Sequence, residues 1–496
     1  MKLFECKRKD YDVFKNIVCL DAEGFSVDGE NINFRDFKAE IDSKFKRYKR
    51  KKRFFIFVNH LYNMNGWKIK MPESAEKIYD PWTNRLKYIE TDKAFWVDFK
   101  SFSGNMSVED IRKDYGFCGD NCSIMTQYIM FRIEHGFQFR KEQLTITSYI
   151  NREFNKSFSK EEKEQLKEEM NYHVLSRDVL EDLLHQSRNP NLGCKSGLYD
   201  KAFSYDISSD FTAIMCRLSN YPTGKIKQCN QEEVRKRFKE HKWFAVIMES
   251  DYIPYFPKQE DGIYCLTLYD VKYLQLRRIN VFDYGKVIRC YCSTKSSHLH
   301  KIFRDKLVSY YKKKQTSTGA KRALYKLSLN TFYGYGLRGS LIEYYGTRNF
   351  ISEPSMYLTP AISGHTVAYA RFYLEYMKQR FENIVYHDTD CIKTTDENAD
   401  EIFAAENERI YKQMKEAGYD CFLGQWQKES EGRLVVYGEK KYAYEVSDGF
   451  ICKFAGCSKD AWKQIESFDE LLKTNSVKNG KPLGANRYSD YSLESA

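Results

Sequence analysis

The segment Ile384-Val-Tyr-His-Asp-Thr-Asp-Cys-Ile392 decides the interpretation of this sequence. Its apolar ends flank Asp388-Thr-Asp390, and this pattern predicts two short strands joined by a tight turn. Two aspartates two positions apart in such a turn can direct their carboxylates toward one metal site. Aspartates are common in turns, so an ordinary structural turn is the alternative interpretation of this segment taken alone.

Two further segments carry the residue types that would complete a catalytic site. Ala202-Phe-Ser-Tyr-Asp206 predicts a strand that ends in a carboxylate, and the aromatic Phe211 follows five residues later. Lys326, Asn330 and Tyr333 are spaced i, i+4 and i+7 in a predicted helix, which places a cation, an amide and a ring on one face. Nucleotidyl transfer needs carboxylates that hold two metal ions about 4 Å apart. It also needs a cation for the phosphoryl charge.

The three segments resemble motifs A, B and C of family B DNA polymerases, in that order. Tyr386-His-Asp-Thr-Asp-Cys391 is similar to Tyr-x-Asp-Thr-Asp-Ser, and Lys326 to Gly334 is similar to the family's motif B. More particularly, the chain resembles the protein-primed branch of small phages and linear plasmids. The segments that carry this likeness are Lys314-Gln-Thr-Ser-Thr-Gly-Ala320, Leu423-Gly-Gln-Trp-Gln-Lys-Glu-Ser430 and Lys440-Lys-Tyr442.

The resemblance implies a role for each matching residue. Asp206, Asp388 and Asp390 would hold two Mg²⁺ ions, with Mn²⁺ as the alternative ion, and Lys326 would join them in catalysis. The residues implied to bind the nucleotide are Phe211, Lys314, Arg322, Lys326, Asn330 and Tyr333. The residues implied to bind the primer and DNA are Thr389, Lys440 and Tyr442.

Motif A departs from the family pattern Asp-x-x-Ser-Leu-Tyr-Pro. Asp206 and Ser209 match it, whereas Asp210, Phe211 and Thr212 replace Leu-Tyr-Pro. The ring of Phe211 would lie under the sugar and leave no room for a 2′-hydroxyl, so we expect deoxynucleotides as substrates. The sequence assigns no role to Asp210.

The N-terminal part predicts an α/β domain, because three apolar runs are each followed by polar residues. These runs are Ile17 to Leu20, Phe54 to Val58 and Phe95 to Val97. By resemblance, the domain is ribonuclease-H-like and carries a 3′–5′ exonuclease with four carboxylates on two metal ions.

The exonuclease motifs are incomplete. Asp21-Ala-Glu23 is similar to the first, and Asn59 begins the second, but Asn63 stands where that motif has a carboxylate. The third would contain Asp178, with His173 as its general base or, alternatively, as a surface histidine. An amide binds a hard cation poorly, so we expect a weakened exonuclease.

These observations predict an α/β (α+β) fold, an exonuclease-like domain followed by a right-handed polymerase. The predicted divisions are residues 1–190 (exonuclease-like), 191–300 (palm with a first insertion), 301–336 (fingers), 337–434 (a short second insertion and the palm with motif C) and 435–496 (thumb). The Pro- and Gly-containing stretch 189–197 predicts the linker between the domains.

Composition sets the remaining expectations. The sequence contains no run of about 18 apolar residues, so it predicts no membrane span. The first residues also lack the apolar core of a secretory signal. Fourteen cysteines without disulfide or zinc spacing indicate reduced thiols in a cytoplasm, the host's if the chain is viral. The net charge of +11 suits a polyanionic partner. The basic run Lys44 to Arg53 is either a phosphate-contacting patch or a solvated helix end.

The sequence therefore predicts a monomeric, template-directed DNA polymerase. Its expected partners are template and primer DNA, deoxynucleoside triphosphates and a terminal protein that primes synthesis. One alternative is a polymerase-shaped nuclease or repair enzyme whose first domain does the main work. Another is an inactive replication factor that binds nucleic acid, which the complete set of Asp206, Asp388 and Asp390 disfavours.

Overall fold

The fold is described from a computed structural model of the chain. The described residues are 17–21, 24–27, 30–32, 54–59, 74–79, 86–91, 94–104, 106, 108–134, 146–169, 175, 177–186, 191–259, 261–334, 339–344, 347–352, 359–446, 449–454 and 467–473. The chain forms two compact units. The first unit comprises residues 1–164 and 309–356, and the second unit comprises residues 165–308 and 357–496.

A mixed sheet forms the centre of the first unit. Its strands are β1 (Ile17–Asp21), β2 (Gly24–Val27), β3 (Glu30–Ile32), β4 (Phe54–Val58), β5 (Glu76–Tyr79), β6 (Leu86–Glu90), β7 (Ala94–Asp98), β16 (Gly339–Tyr344) and β17 (Thr347–Ser352). They lie in the order β17-β16-β5-β6-β7-β4-β1-β2-β3. The neighbours β1, β4 and β7 are parallel. Parallel strands are covered on both faces, which explains the continuous apolar run in β4.

Helices of the first unit pack through aromatic side chains. They are α1 (Phe99–Ser103), α2 (Val108–Tyr115), α3 (Asn121–Glu134), α4 (Ile146–Lys156) and α11 (Gly319–Phe332). Phe102 of α1 meets Phe57 of β4 edge to face, with ring centroids 4.9 Å apart. The ring centroids of Phe154 in α4 and Phe332 in α11 are 4.2 Å apart. This contact packs the predicted fingers helix into the first unit. The division between the units falls within α5 (Lys160–Glu169) and α10 (Lys301–Thr316).

The second unit is built on an antiparallel sheet. Its strands are β8 (Leu192–Cys194), β9 (Gly197–Ile207), β18 (Ile384–Asp388), β19 (Cys391–Thr394), β20 (Trp426–Gly438), β21 (Lys441–Val446) and β22 (Gly449–Phe454). They lie in the order β22-β21-β20-β9-β19-β18-β8. One face of the sheet carries a buried cluster that includes Tyr386, Val436 and Tyr442.

The helices of the second unit include one that is almost wholly buried. They are α6 (Arg177–Leu184), α7 (Asp210–Arg217), α8 (Gln231–Lys239), α9 (Leu268–Leu276), α12 (Pro360–Lys378), α13 (Ala399–Glu416) and α14 (Phe468–Lys473). Helix α12 begins at Pro360, whose fixed φ suits the first turn, and contacts α7 and α9. In the described part of the chain, each helix is too short or too polar to cross a membrane.

A smaller sheet lies between motifs A and B in the sequence. Its strands β11 (Ile226–Cys229), β12 (Phe244–Glu249), β13 (Ile263–Thr267) and β14 (Lys286–Ser293) lie in the order β11-β14-β12-β13. The two-residue strands β10 (Tyr221–Pro222) and β15 (Ser296–Ser297) pair beside it, and Val281–Asp283 form a short 3₁₀ helix. This sheet lies within the predicted range 191–300, the palm with its first insertion.

The compact units differ from the predicted divisions in three places. The chain enters the second unit at residue 165 rather than 191, because Leu183 of α6 packs with Trp243 and Ile247 of that unit. The predicted linker contains β8, which pairs with β18. The predicted thumb contributes β21 and β22, which extend the sheet of the second unit.

The predicted second insertion is a hairpin that joins the sheet of the first unit. Strands β16 and β17 pair with each other, and β16 also pairs with β5. Ile342 lies opposite Ile78 in this register. Backbone pairing to an open strand edge, which local sequence patterns do not reveal, accounts for this position.

Candidate active site

Neighbouring strands of the second unit bring the three predicted aspartates together. Asp206 of β9 lies opposite Cys391 of β19, and Cys391 lies opposite Asp388 of β18. The N–H of Ile207 donates to the carbonyl of Asp390 at 2.8 Å, so the end of β9 is tied to the turn. Residues directly opposite each other point to the same face of a sheet. Asp206 and Asp388 therefore share a face, beside the turn that carries Asp390.

The turn between β18 and β19 is held in a strained conformation. Thr389 has φ 55°, in the left-handed region that β-branched residues rarely adopt. Its N–H donates to the carbonyl of Asn191 at 3.2 Å, and its hydroxyl donates to Oδ1 of Asp388 at 3.0 Å. The N–H of Asp390 donates to the carbonyl of Asp388 at 2.6 Å. These bonds fix the backbone that presents the two aspartates.

Burial and mutual repulsion both act on the carboxylates of this cluster. Burial, followed by the nearby carboxylates of Asp206, Asp210 and Asp388, raises the pKa of Asp390 to about 8. Burial raises the pKa of Asp210 to about 7, with Asp206 adding to the shift and Arg217 opposing it. A cation near these groups would relieve the repulsion.

The sequence predicts divalent ions at this cluster, and carboxylates are the side chains concerned. Carboxylate oxygens are the ligands that hard cations such as Mg²⁺ prefer. Within the described ranges, no three Asp, Glu, His or Cys side chains surround one point as metal ligands, so the ligand set is a proposal. The crowding of carboxylates around Asp390, with its raised pKa, is the observation that favours a cation there.

Asp210 has an electrostatic partner on its own helix. Asp210 and Arg217 begin and end α7, seven residues apart, so they lie on the same face. They are 3% and 6% exposed, and within the described residues neither the Asp210 carboxylate nor the Arg217 guanidinium has a hydrogen-bond partner. The guanidinium lies over the ring of Tyr373, 5.2 Å from its centroid. We infer that Arg217 compensates the charge that Asp210 introduces into motif A.

Removing Arg217 is therefore expected to destabilise the protein. Arg217→Met should lower the free energy of unfolding by about 1–2 kcal/mol, because the buried carboxyl of Asp210 loses the charge that opposes the rise in its pKa. The double variant Arg217→Met with Asp210→Leu should recover much of this loss. Urea unfolding of the two single variants and the double variant measures the effect. A double variant no more stable than Arg217→Met would show that the two charges are not coupled.

The start of α7 carries the remaining residues of the predicted motif A. Ser209 has φ 55° and directly precedes the helix. Phe211 lies in this first turn and is half-buried, whereas Thr212 is buried. Phe211, whose side chain is partly exposed, thus follows Asp206 by five residues. Asp206 lies near the end of β9.

Lys440 and Tyr442 belong to the same sheet as the aspartates. Lys440 has φ 57° in the turn before β21, and its Nζ lies 4.0 Å from Oδ2 of Asp388. Tyr442 is 5% exposed, and its ring centroid is 4.7 Å from that of Tyr386 in motif C. Lys440 is therefore adjacent to Asp388, and Tyr442 contacts Tyr386, which precedes Asp388 by two residues.

The predicted nucleotide-binding residues of motif B and its upstream segment lie in the first unit. Arg322, Lys326 and Asn330 are exposed on α11, and Tyr333 follows its last residue and is half-buried. Lys314 is near the end of α10, with its Nζ 5.9 Å from the ring centroid of Tyr311. The predicted shared face of Lys326 and Asn330 is consistent with their exposure on consecutive turns of one helix.

The predicted exonuclease residues are only partly described. Asp21 ends β1, and Asn59 directly follows β4, so the two positions lie at the same edge of adjacent parallel strands. Asp178 is exposed on α6, which belongs to the second unit, whereas Asp21 belongs to the first. Glu23, Asn63 and His173 lie outside the described residues.

Asp98 is the alternative carboxylate at this edge, because it ends the neighbouring parallel strand β7. It is 1% exposed, and its Oδ2 accepts hydrogen bonds from the N–H of Ser101 at 2.9 Å and from the Ser101 hydroxyl at 3.0 Å. Asp98 thus caps the N-terminus of α1, and this structural role explains why an aspartate stands at the end of β7.

Sequence reasoning missed a polar network behind motif C. Lys378 donates to Nε2 of His387 at 3.0 Å and to Glu375 at 3.0 Å, and Glu375 also accepts from Asn191 at 3.0 Å. The ring of His387 lies against Gly193 of β8, where an added Cβ would come within 2.6 Å. These residues are distant in sequence, and only the alternation of β18 indicated that His387 would face away from Asp388.

The comparisons with known proteins concern the fold. The chain is similar in fold to Phi29 DNA polymerase. Phi29 DNA polymerase complexed with primer-template DNA and incoming nucleotide substrates matches with a TM-score of 0.60 and 14% identity, over 91% of this chain and 93% of that chain. Its post-translocation binary complex matches with a TM-score of 0.61 and 15% identity, over 90% and 91% of the two chains. No family model matches the sequence, and no curated protein does.

Proposed function

We propose that this protein is a template-directed DNA polymerase that joins deoxynucleotides by two-metal nucleotidyl transfer. The observation that carries the proposal is the convergence of the motif A and motif C aspartates on neighbouring strands of one sheet. The similarity in fold to Phi29 DNA polymerase over most of both chains supports it independently. Extension of a labelled primer on a defined template tests it.

In this proposal, the carboxylates of Asp206, Asp388 and Asp390 hold two Mg²⁺ ions, for which Mn²⁺ can substitute. When bound, such ions activate a 3′-hydroxyl and neutralise the triphosphate. Phe211 excludes the 2′-hydroxyl from the sugar pocket, and Lys440 and Tyr442 hold the primer end beside Asp388.

The remaining nucleotide contacts are assigned to the helices α10 and α11. Lys326 supplies the cation that balances phosphoryl charge, and Lys314 and Arg322 add positive charge for the triphosphate. Asn330 and Tyr333 contact the incoming nucleotide through an amide and a ring. The exposure of Arg322, Lys326 and Asn330 supports this assignment, because a ligand can reach all three.

The proposal extends to a monomer that uses a terminal protein as its primer and acts in the cytoplasm of a cell, the host's if the protein is viral. The support is the resemblance of the chain's motifs to the protein-primed branch. A polymerase-shaped nuclease or repair enzyme is the rival function. The capping role of Asp98 disfavours it, because that role accounts for this carboxylate without a reaction.

We also propose a weak 3′–5′ exonuclease in the first unit. Asn63→Asp should raise the rate of single-strand degradation by roughly 10-fold, because a carboxylate binds a hard cation where an amide does not. Asp21→Ala should abolish degradation, and His173→Ala should reduce it if that imidazole is the base. Release of label from a single-stranded oligonucleotide measures all three rates.

The outcome that would overturn this account is fast degradation by the wild type that Asn63→Asp leaves unchanged. Loss of that activity in Asp98→Ala would then identify Asp98 as the missing carboxylate. We expect Asp98→Ala instead to lower stability by about 1 kcal/mol, the usual cost of losing a helix cap.

A further inference from the structure

A completely buried lysine lies beneath the proposed primer-binding tyrosine. Lys393 in β19 is 0% exposed and follows Asp390 by three residues. Its Nζ lies 4.7 Å from the ring centroid of Tyr442 and 5.1 Å from that of Tyr444. The ammonium also donates to the hydroxyl of Ser204, its cross-strand partner in β9. No role in the chemistry proposed above has been given to this residue.

The surroundings of Lys393 suit a charge that orients aromatic rings. Burial lowers the pKa of Lys393, and the charge of Glu429 partly opposes this shift. The Ser204 hydroxyl that accepts from Lys393 lies 3.5 Å from Oε2 of Glu429, to which it donates. In the described part of the chain, the ammonium has no carboxylate within ion-pair distance, so the two rings and one hydroxyl are its main partners.

Stability alone is a poor reason for this charge. Replacing a buried charge with an apolar side chain of similar size is often neutral or stabilising. A cation over an aromatic face, in contrast, constrains the position of the ring, and the attraction strengthens when both groups are desolvated. Tyr442 is constrained further by Tyr386 in motif C and by the ammonium of Lys453, 5.8 Å from its ring centroid.

We infer that Lys393 is a positioning residue that fixes Tyr442, and through it the primer terminus, beside the motif C aspartates. The inference rests on the proposed polymerase function and adds a residue to it. Lys393 does not touch the DNA itself, because it is wholly buried. Its charge acts on the primer through the ring of Tyr442, and it also lies within electrostatic reach of Asp206.

The test is primer extension by Lys393→Met, which keeps the length of the side chain and removes its charge. The KM for primer–template should rise by about 10-fold, while kcat at saturating primer changes little. Lys412→Met is the matched control, because Lys412 is exposed on α13 and loses the same charge. It should keep the wild-type KM. Thermal unfolding of Lys393→Met should show no loss of stability, which separates positioning from a structural role.

A double-mutant cycle then asks whether Lys393 acts through the ring. In Tyr442→Phe the ring is retained, so Lys393→Met should still raise the KM for primer. In Tyr442→Leu the ring is absent, so Lys393→Met should have no further effect. If Tyr442→Leu does not fold, the KM and the stability of Lys393→Met decide the proposal.

Two failures are distinguishable. If the wild type extends primers and Lys393→Met keeps the wild-type KM, or loses kcat and stability together, the positioning role is wrong and the polymerase proposal stands. If the wild type does not extend primers at all, the proposed function itself is wrong.

Discussion

Asp206→Asn and Asp390→Asn are each expected to lower kcat for nucleotide incorporation by about 10³-fold. The substitutions keep the size of the side chains and remove a carboxylate from the proposed ligand set, and an amide is a poor ligand for Mg²⁺. Folding should be preserved, because each substitution also removes repulsion from a crowded cluster. Single-nucleotide incorporation into a primer–template measures the rate, and circular dichroism checks the fold.

The matched control is Asp251→Asn, which changes an exposed aspartate of the same unit. It should incorporate nucleotides at the wild-type rate. Incorporation at the wild-type rate by Asp206→Asn would remove the motif A aspartate from the mechanism. Asp210, which is buried close to Asp206, would then be the next carboxylate to test.

Phe211→Ala is expected to open the active site to ribonucleotides. Its ring is proposed to fill the space that a 2′-hydroxyl needs, and removing it should lower the preference for deoxynucleotides by roughly 100-fold. The quantity to measure is the ratio of kcat/KM for a deoxynucleotide and the matching ribonucleotide. Phe211→Tyr is the control, because it restores the hydroxyl of the family pattern and retains the ring.

An unchanged ratio in Phe211→Ala would mean that another side chain lies under the sugar. The half-buried state of Phe211 in the first turn of α7 makes it the side chain of this turn that a ligand can reach, since Asp210 and Thr212 are buried. If another side chain lies under the sugar, the predicted position of the nucleotide would therefore also change.

Local patterns predicted the parts of the structure that depend on neighbours in sequence. The strands at 384–388 and 391–394 were expected from the apolar stretches around the Asp388-Thr-Asp390 turn. A strand over Ala202–Asp206 was also expected, and the observed strand extends to Ile207. Hairpin signals are short-range, because strand pairing begins at the turn itself. The same holds for the helix of motif B, where a spacing of 3.6 residues places Lys326 and Asn330 on one face.

Features that depend on distant contacts were not accessible from the sequence. Helix α6 was assigned to the nuclease-like domain, but Asp182 of this helix accepts two hydrogen bonds from Arg289, at 2.7 and 2.6 Å, which holds it against β14 of the second unit. The spacing of His173 and Asp178 carries no information about such a contact. The sheet edge that β21 and β22 join was also not accessible, because nothing local indicates which edge a strand joins.

The role of Asp210 illustrates the same limit at the candidate site. The sequence showed that an aspartate replaces an apolar residue of motif A, and no pattern indicated what balances its charge. In the structure, Arg217 is buried on the same face of α7, and its charge opposes the rise in the pKa of Asp210. Lys393 was equally hidden, because its position beneath Tyr442 depends on the pairing of the four strands β19, β9, β20 and β21.

The most direct test of the central claim is single-nucleotide primer extension by the wild-type protein with Mg²⁺. Four templates that differ only in the base opposite the incoming nucleotide are each offered all four deoxynucleotides separately. We predict that the primer gains one nucleotide, and that its identity follows the template base in every case. Absence of extension on all four templates, or addition of the same nucleotide whatever the template base, would contradict the proposal that this protein is a template-directed DNA polymerase.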